Sequence, residues 1–374
     1  MPLDHRRHSN RNRRLPWLAC LPLAIMLVLP AHESQAAERK ARKAVLKKVS
    51  ASAQEAGEFA NFSQWREVAP FIDKMVEQHQ FEREEIRAAL ANVRFVEKAV
   101  QLVRPAPPGK PKNWQAYRAR FVEPTRIQYG VDFWDRHADD LARAQEQYGV
   151  PAEIIVGIIG VETSYGRNTG NFRVMDALAT LAFAYPQTPN RAARMDYFRG
   201  ELENVLLYAR EERIDPFALL GSYAGAIGWP QFMPGSIRRY AIDFDGDRHI
   251  DLRGSPVDAI GSVANFLLEH GWTPGEPTAF PAAVTASDSW SDFLKQGLQA
   301  LNHVDELAAA GVTPLTSLPT DLLYGLVDLQ NGGEATEYWL GTNNFFAITK
   351  YNRSYFYAMS VIELGKSVRV ARGK

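Results

Sequence analysis

Apolar residues recur at helical spacing along most of the chain. Trp65, Val68, Phe71, Ile72, Met75 and Val76 line one face of a predicted helix. Phe81, Ile86 and Leu90 line a second, shorter one. The proline-rich run from Arg104 to Lys112 breaks the pattern and reads as a loop. Helical spacing returns over residues 133–148. Residues 173–184 and 194–212 read as two amphipathic helices, and Pro256–His270 as another. After Thr273 proline and glycine become frequent, and Leu322–Leu329 has the composition of a strand. Phe345–Ile348, Tyr351-Asn352 and a helix over 354–367 close the chain. The pattern predicts a mainly α (α+β) protein without internal repeats.

One predicted helix lacks a polar face. It runs through Val150-Pro-Ala-Glu-Ile-Ile-Val-Gly-Ile-Ile-Gly-Val-Glu162-Thr-Ser-Tyr-Gly166. Pro151 suits a first turn and Glu153 suits the positive end of the dipole. The eight residues after Glu153 are uncharged, so the helix should be buried all round. Gly166 is placed to stop it. Glu162 then sits at the negative pole of the dipole against an apolar wall. Both effects raise a carboxyl pKa, as a general acid working near neutrality requires. The structural alternative is a buried salt bridge to Arg167 or Arg173.

Composition narrows the setting. At 374 residues the chain can bury a large core, and two or three subdomains are expected. Its formal net charge is zero, and no basic run is interleaved with aromatics, so a nucleic-acid partner is not expected. Residues 1–36 read as an export signal. Arg6, Arg7, Arg11, Arg13 and Arg14 form the basic region, Leu15–Pro30 the apolar region, and Ser34-Gln35-Ala36 the cleavage site. Residues 37–58, rich in Ala, Lys, Glu and Gln, read as a mobile entry. Cys20, the only cysteine, lies inside the signal. Trp17 stands at the third position before it, and most of the apolar run follows it. Lipid anchoring at Cys20 is therefore not expected. Without a cysteine, the mature protein relies on its core for stability.

Several familiar sites are missing. There is no Walker loop, no G-x-G-x-x-G, no His-Glu-x-x-His and no Gly-x-Ser-x-Gly elbow, and the eight histidines do not pair at metal spacing. Two other stretches offer chemistry. Gly221-Ser-Tyr-Ala-Gly-Ala-Ile-Gly-Trp-Pro-Gln-Phe-Met-Pro-Gly235 combines turn glycines with Tyr223, Trp229 and Phe232, flat faces that suit sugar rings. Ser222 and Gln231 add hydrogen bonds of the kind that hold an N-acetyl group. A purely structural loop with core aromatics carries equal weight on these residues alone. Asp243, Asp245 and Asp247 occupy positions 1, 3 and 5 of an EF-hand-like loop, with the His249 backbone carbonyl at position 7. Arg248 replaces the turn glycine and Gly254 the closing acid, so Asp258 is the candidate final ligand. A structural hard cation, Ca2+ or Na+, is expected there. A solvated acidic turn is the alternative.

These stretches together resemble the lytic murein transglycosylase B family, glycoside hydrolase family 103. The likeness rests on Gly149 to Arg167, Met175-Asp-Ala-Leu-Ala-Thr-Leu, Phe198-Arg-Gly-Glu-Leu, Gly221–Pro234 and Pro256-Val-Asp-Ala-Ile-Gly-Ser-Val-Ala-Asn265, and spans residues 60–370. It implies a lysozyme-like catalytic core over 149–272, with the Asp-rich loop at 243–258. A helical lobe is expected at 59–148, a small α/β lobe at 273–333, and a C-terminal segment at 334–374 that returns to the core. It implies cleavage of the β-1,4 bond between N-acetylmuramic acid and N-acetylglucosamine, leaving a 1,6-anhydromuramic end. The family's acid/base falls on Glu162. Its glycan contacts fall on Ser222, Gln231, Phe232, Met233, Tyr351 and Asn352, with Tyr117 and Tyr357 nearby. Its cation loop falls on Asp243, Asp245, Asp247, His249 and Asp258. One residue is inserted before Pro256, residues 187–190 form a small insertion, and Phe266 stands where some relatives carry Tyr.

No second acid in the motif stretches pairs with Glu162. One acid suffices if the muramic N-acetyl oxygen attacks its own C1, as in substrate-assisted glycosidases. No cofactor is then required for catalysis. The expected partner is the glycan strand of peptidoglycan, with cell-wall synthesis or division proteins as further candidates. The expected location is the periplasm and the expected state a monomer. A hydrolytic muramidase would need a second acid to activate water. A non-catalytic glycan-binding scaffold would have no need of Glu162.

Overall fold

The computed structural model describes residues 62, 65, 67–105, 109 and 111–373. The export signal 1–36, Cys20 and the entry 37–58 lie outside the described residues. Residues 68–148 form six helices: α1 (Val68–His79), α2 (Arg83–Ala91), α3 (Glu97–Leu102), α4 (Trp114–Arg118), α5 (Pro124–Arg136) and α6 (Ala138–Tyr148). The apolar stripe predicted on α1 is real, with Val68, Phe71, Ile72 and Met75 buried. The single helix expected over 133–148 is two, because the backbone leaves helical geometry at His137.

Helix α7 (Ala152–Thr163) follows, and ten of its twelve residues are buried. Pro151 is its cap rather than its first helical residue, in extended geometry with ψ 137°. Its apolar surface has no preferred side because neighbours cover every side. The last long helix, α14, lies closest. A Cβ on Gly157 would strike the Val361 carbonyl oxygen, and one on Gly365 would strike that of Glu153. The glycines therefore let the two backbones approach more closely than side chains allow.

Strand β1 (Phe172–Arg173) leads into α8 (Val174–Phe183) and α9 (Arg191–Glu211). All ten residues of α8 are buried, so it is a core helix and not the amphipathic one its sequence suggested. Its polar members are satisfied from the helical lobe. The Arg94 N–H donates to Asp176, and the Val96 N–H donates to Thr180. Strand β2 (Leu220–Gly221) pairs antiparallel with β1 and opens the glycine-rich segment. Helices α10 (Pro234–Tyr240) and α11 (Pro256–Glu269) flank the aspartate-rich loop.

The β-containing lobe comprises β3 (Ala279–Val284), helix α12 (Val304–Ala309), β4 (Val312–Pro314), β5 (Gly325–Asn331) and β6 (Glu334–Gly341). Its sheet is antiparallel in the order β4-β3-β6-β5, over a small core that includes Leu307, Val312, Tyr324, Leu326 and Leu340. The strand expected at 322–329 sits a few residues later. The division expected at 333/334 falls inside the β5–β6 hairpin, and the sheet runs on to Gly341. Helices α13 (Asn343–Tyr351) and α14 (Tyr355–Ala371) then return to the main core.

Candidate active site

Glu162 is the penultimate residue of α7. The helix ends at Thr163, three residues before the glycine expected to stop it. Ser164, Tyr165 and Gly166 all take left-handed geometry, with φ of 51°, 57° and 76°. Left-handed backbone is costly for residues other than glycine, so the turn is held from outside. The Thr163 hydroxyl donates to the Trp229 carbonyl at 2.9 Å and accepts the Gly166 N–H at 3.0 Å. The Tyr165 ring is buried against Phe133.

The partner of Glu162 is a phenol. The Tyr357 hydroxyl donates to its Oε1 at 2.6 Å. The salt bridge considered as the structural alternative does not form. Arg173 pairs with Asp176, and Arg167 stacks on the Tyr129 ring at 3.6 Å. Burial pushes the Glu162 carboxyl up to about 7, against the opposing effect of the Tyr357 hydrogen bond. The group is thus poised between acid and base near neutral pH. Tyr117, Tyr351 and Tyr357 all surround it closely enough for its charge to hold their phenols protonated. Burial is the larger cause for each.

The tyrosines arrive from three directions. Tyr117 belongs to α4, within an aromatic group with Trp114, Phe121 and Phe356. Tyr351 ends α13 and Tyr357 lies in the first turn of α14, their rings stacked at 6.2 Å with 16° between planes. The Tyr351 hydroxyl donates to the Pro230 carbonyl at 2.6 Å, tying this pair to the glycine-rich segment.

That segment is a brace as much as a binding surface. The Trp229 N–H donates to the Leu252 carbonyl, and its indole N–H to that of Arg253. Gln231 adopts φ 51°, and its amide donates to the carbonyls of Gly228 and Thr169. The Ser222 oxygen accepts the N–H groups of Ala224 and Ala226, which leaves its O–H to donate elsewhere. Met233 caps α10 and is half-buried, and Asn352 caps α13 and is exposed.

Phe232 departs from expectation. Its ring is 2 % exposed and packs on Phe266 and Tyr351, so it supports the site from behind and offers no flat face to a sugar. Trp229 likewise packs against Gly166 and Phe133, and only Tyr223 is well exposed. Phe266 is 6 % exposed, stacked on His270 at 3.9 Å. Glu201 on α9 was not singled out as a site residue, although its stretch was legible. Its buried carboxylate accepts the Gly235 N–H at 2.7 Å and fixes the end of the glycine-rich segment.

In the aspartate-rich loop the carboxylates of Asp243, Asp245 and Asp258 converge, with ligand atoms within 4.8 Å of one another. Asp258, the candidate final ligand, is the centre of the loop. It is 1 % exposed and accepts the N–H groups of Phe244, Asp245 and Asp251. Asp247 does not join the three. Its carboxylate accepts the His249 N–H, and the His249 ring lies toward Glu212. Arg248 takes the left-handed geometry, φ 76°, of the glycine it replaces. The donors are all hard oxygens on a turn held by side-chain acceptors, which fits a hard cation better than a transition metal.

A groove of about 650 Å³ opens between α1 and α9, lined by Phe71, Lys74, Met195 and Arg199 among others. None of the residues around Glu162 lines it.

Residues 61–366 match the Transglycosylase SLT domain family. The chain is 44% identical over 324 residues to the membrane-bound lytic murein transglycosylase B of Escherichia coli (strain K12), covering 84% of this chain and 85% of that protein. It is similar to the soluble lytic transglycosylase SltB1 from Pseudomonas aeruginosa, with a TM-score of 0.74 and 46% identity over 82% of this chain and all of that one. It is equally similar to the Escherichia coli lytic transglycosylase Slt35 in complex with calcium. There the TM-score is 0.73 and the identity 44%, over 83% of this chain and 94% of that one.

Proposed function

The chain belongs to the Transglycosylase SLT domain family, and from that premise we propose that it is a lytic transglycosylase of peptidoglycan in which Glu162 alone serves as acid and then base. The observation that carries this reading is the Glu162 carboxyl, poised near pH 7, with a phenol as its hydrogen-bonding partner and, among the described residues, no second acid joined to it.

In the first step the Glu162 carboxylic acid gives its proton to the glycosidic oxygen. The C1–O bond breaks, its electron pair stays with the departing N-acetylglucosamine, and the muramic acetamido oxygen bonds to C1. In the second step the Glu162 carboxylate takes the proton of the C6 hydroxyl. O6 bonds to C1, the bond from the acetamido oxygen breaks, and a 1,6-anhydro ring closes. Holding these groups together supplies an intramolecular nucleophile, which lowers barriers by roughly 7–11 kcal/mol in well-oriented cases. The free O–H of Ser222 is suited to orienting the acetamido group, and Tyr117, Tyr351 and Tyr357 exclude water. Gln231, Met233 and Asn352 complete the glycan cleft.

Asp243, Asp245 and Asp258 would hold Ca2+ or Na+, with the His249 carbonyl as a further ligand. Its role is structural, because Trp229 links this loop to the helix end that carries Glu162. No helix among the described residues is long and apolar enough to cross a membrane. The export signal read in residues 1–36 supports action in the periplasm, and the role that fits is cell-wall turnover, by a monomer.

The test is mass spectrometry of sacculi digested by the mature protein. Products one water lighter than hydrolysed muropeptides, absent with Glu162→Gln, are expected. Reducing ends of full hydrolytic mass would make it a muramidase. Unchanged digestion by Glu162→Gln would end the assignment.

A further inference from the structure

The two oxygens of the Glu162 carboxyl are not equivalent. Oε1 accepts the Tyr357 hydroxyl at 2.6 Å. Among the described residues Oε2 has no hydrogen-bond partner, and it is not closed off from solvent. We propose that Tyr357 is a positioning residue that confines the catalytic proton to Oε2 and keeps that oxygen facing the glycan. This rests on the reading of Glu162 as the acid/base.

An oxygen that accepts a hydrogen bond from a fixed donor is the wrong one to carry the proton, so the acid form places it on the other. When that proton leaves for the glycosidic oxygen, the bond from Tyr357 becomes charge-assisted and strengthens. It therefore favours the state after transfer over the state before it, as catalysis requires. The phenol has no freedom to swing away. Tyr357 is 2 % exposed, its N–H is capped by the Ser354 hydroxyl, and its ring lies on Tyr351, which is itself tied to Pro230.

Among the described residues no other group competes for this role. The titratable side chains whose charge couples to Glu162 are Tyr117, Tyr351 and Tyr357. Several charged residues on the helices packed against α7 are engaged elsewhere, and the others are exposed. Arg126 of α5 donates to the Gly160 carbonyl, Arg369 of α14 pairs with Glu153, and Glu363 of α14 pairs with Arg118. On α6, Asp140 pairs with His137 and Arg143, and on α11, Asp258 is bound into its loop.

The test compares pH profiles of kcat/KM for the wild type, Tyr357→Phe, Tyr324→Phe and protein carrying 3-fluorotyrosine at position 357. Activity falls on the alkaline side as Glu162 loses its proton. Removing the donor should move that limb up by about one pH unit. Fluorination makes the phenol a stronger donor and should move it down. Tyr324→Phe removes a hydroxyl that bonds the Pro319 carbonyl in the β-containing lobe, and should leave the midpoint in place. The fluorinated protein keeps the fold even if Tyr357→Phe does not.

A limb that stays put in both position-357 proteins, while Glu162→Gln is inactive, overturns the proposal alone. If Glu162→Gln stays active, the acid/base reading fails first. Carbon-13 titration of the Glu162 carboxyl then reads the hydrogen bond without turnover. An upward shift in Tyr357→Phe supports the bond's role in holding the proton, and no shift overturns it.

Discussion

Tyr357 donates its hydroxyl hydrogen to Glu162 across 2.6 Å and 195 residues of sequence. The bond opposes burial, and burial wins: the carboxyl is pushed up to about 7 from an ordinary 4.5. The predictions below follow from how this pair is held.

The raised carboxyl costs stability at neutral pH. The folded state keeps a proton on Glu162 that the unfolded chain releases near pH 4.5. Stability attributable to this group is therefore undiminished below pH 4.5 and falls as pH rises toward 7. The full difference is up to roughly 3 kcal/mol. Glu162→Gln lacks this loss. Urea denaturation should show the variant gaining on the wild type between pH 4.5 and 7, and a constant difference would contradict the pKa.

Two helical glycines should respond oppositely to alanine. A Cβ at Gly157 meets the Val361 backbone, which cannot yield easily, whereas Gly200 faces open space. Gly157→Ala should cost about 1–3 kcal/mol and lower activity by tilting the helix that carries Glu162. Gly200→Ala should gain up to about 1 kcal/mol and leave digestion unchanged. Thermal melts with a turbidity assay on sacculi check both.

Ser222→Ala should lower kcat by about 10- to 100-fold with a smaller change in KM, if its free O–H orients the acetamido group through the transition state. Loss of the acceptor for Ala224 and Ala226 should cost only about 1 kcal/mol of stability. A change confined to KM would make Ser222 a simple binding residue.

The aspartate-rich loop separates two effects. Calcium should raise the melting temperature of the wild type, and chelator should reverse it. Asp245→Asn should lose this response with little change in chelator. Asp258→Ala should lose it and also cost about 3 kcal/mol in chelator, because three backbone N–H groups lose their acceptor. Arg248→Gly should gain about 1 kcal/mol by relieving a left-handed arginine.

What the sequence disclosed was set by local pattern. An uninterrupted apolar helix ending in one glutamate announces a buried acid, because few other arrangements tolerate that composition. The phenols around it were legible only through resemblance, since Tyr117, Tyr351 and Tyr357 meet by long-range packing. Phe232 and Trp229 looked like sugar platforms because an aromatic in a glycine-rich loop reads the same whether it faces solvent or core. The helix stop was misplaced at Gly166 because Ser164 and Tyr165 take geometry that tertiary hydrogen bonds impose. The sequence placed Asp258 as a ligand without showing that it also holds the loop together. Its place in the loop depends on backbone donors that spacing does not reveal.

The approach of α7 and α14 through Gly157 and Gly365 also bears on how the site is completed. Chains are made from the N-terminus onward, and α14 is the last of the described helices to emerge. Glu162, the glycine-rich segment and the aspartate loop all precede it, yet the acid acquires its phenol and much of its apolar cover only when residues 355–371 dock. Without α14 the glutamate lacks the Tyr357 hydroxyl and the close cover that Gly157 and Gly365 permit. Docking of residues 355–371 thus completes a site that the earlier elements only prepare.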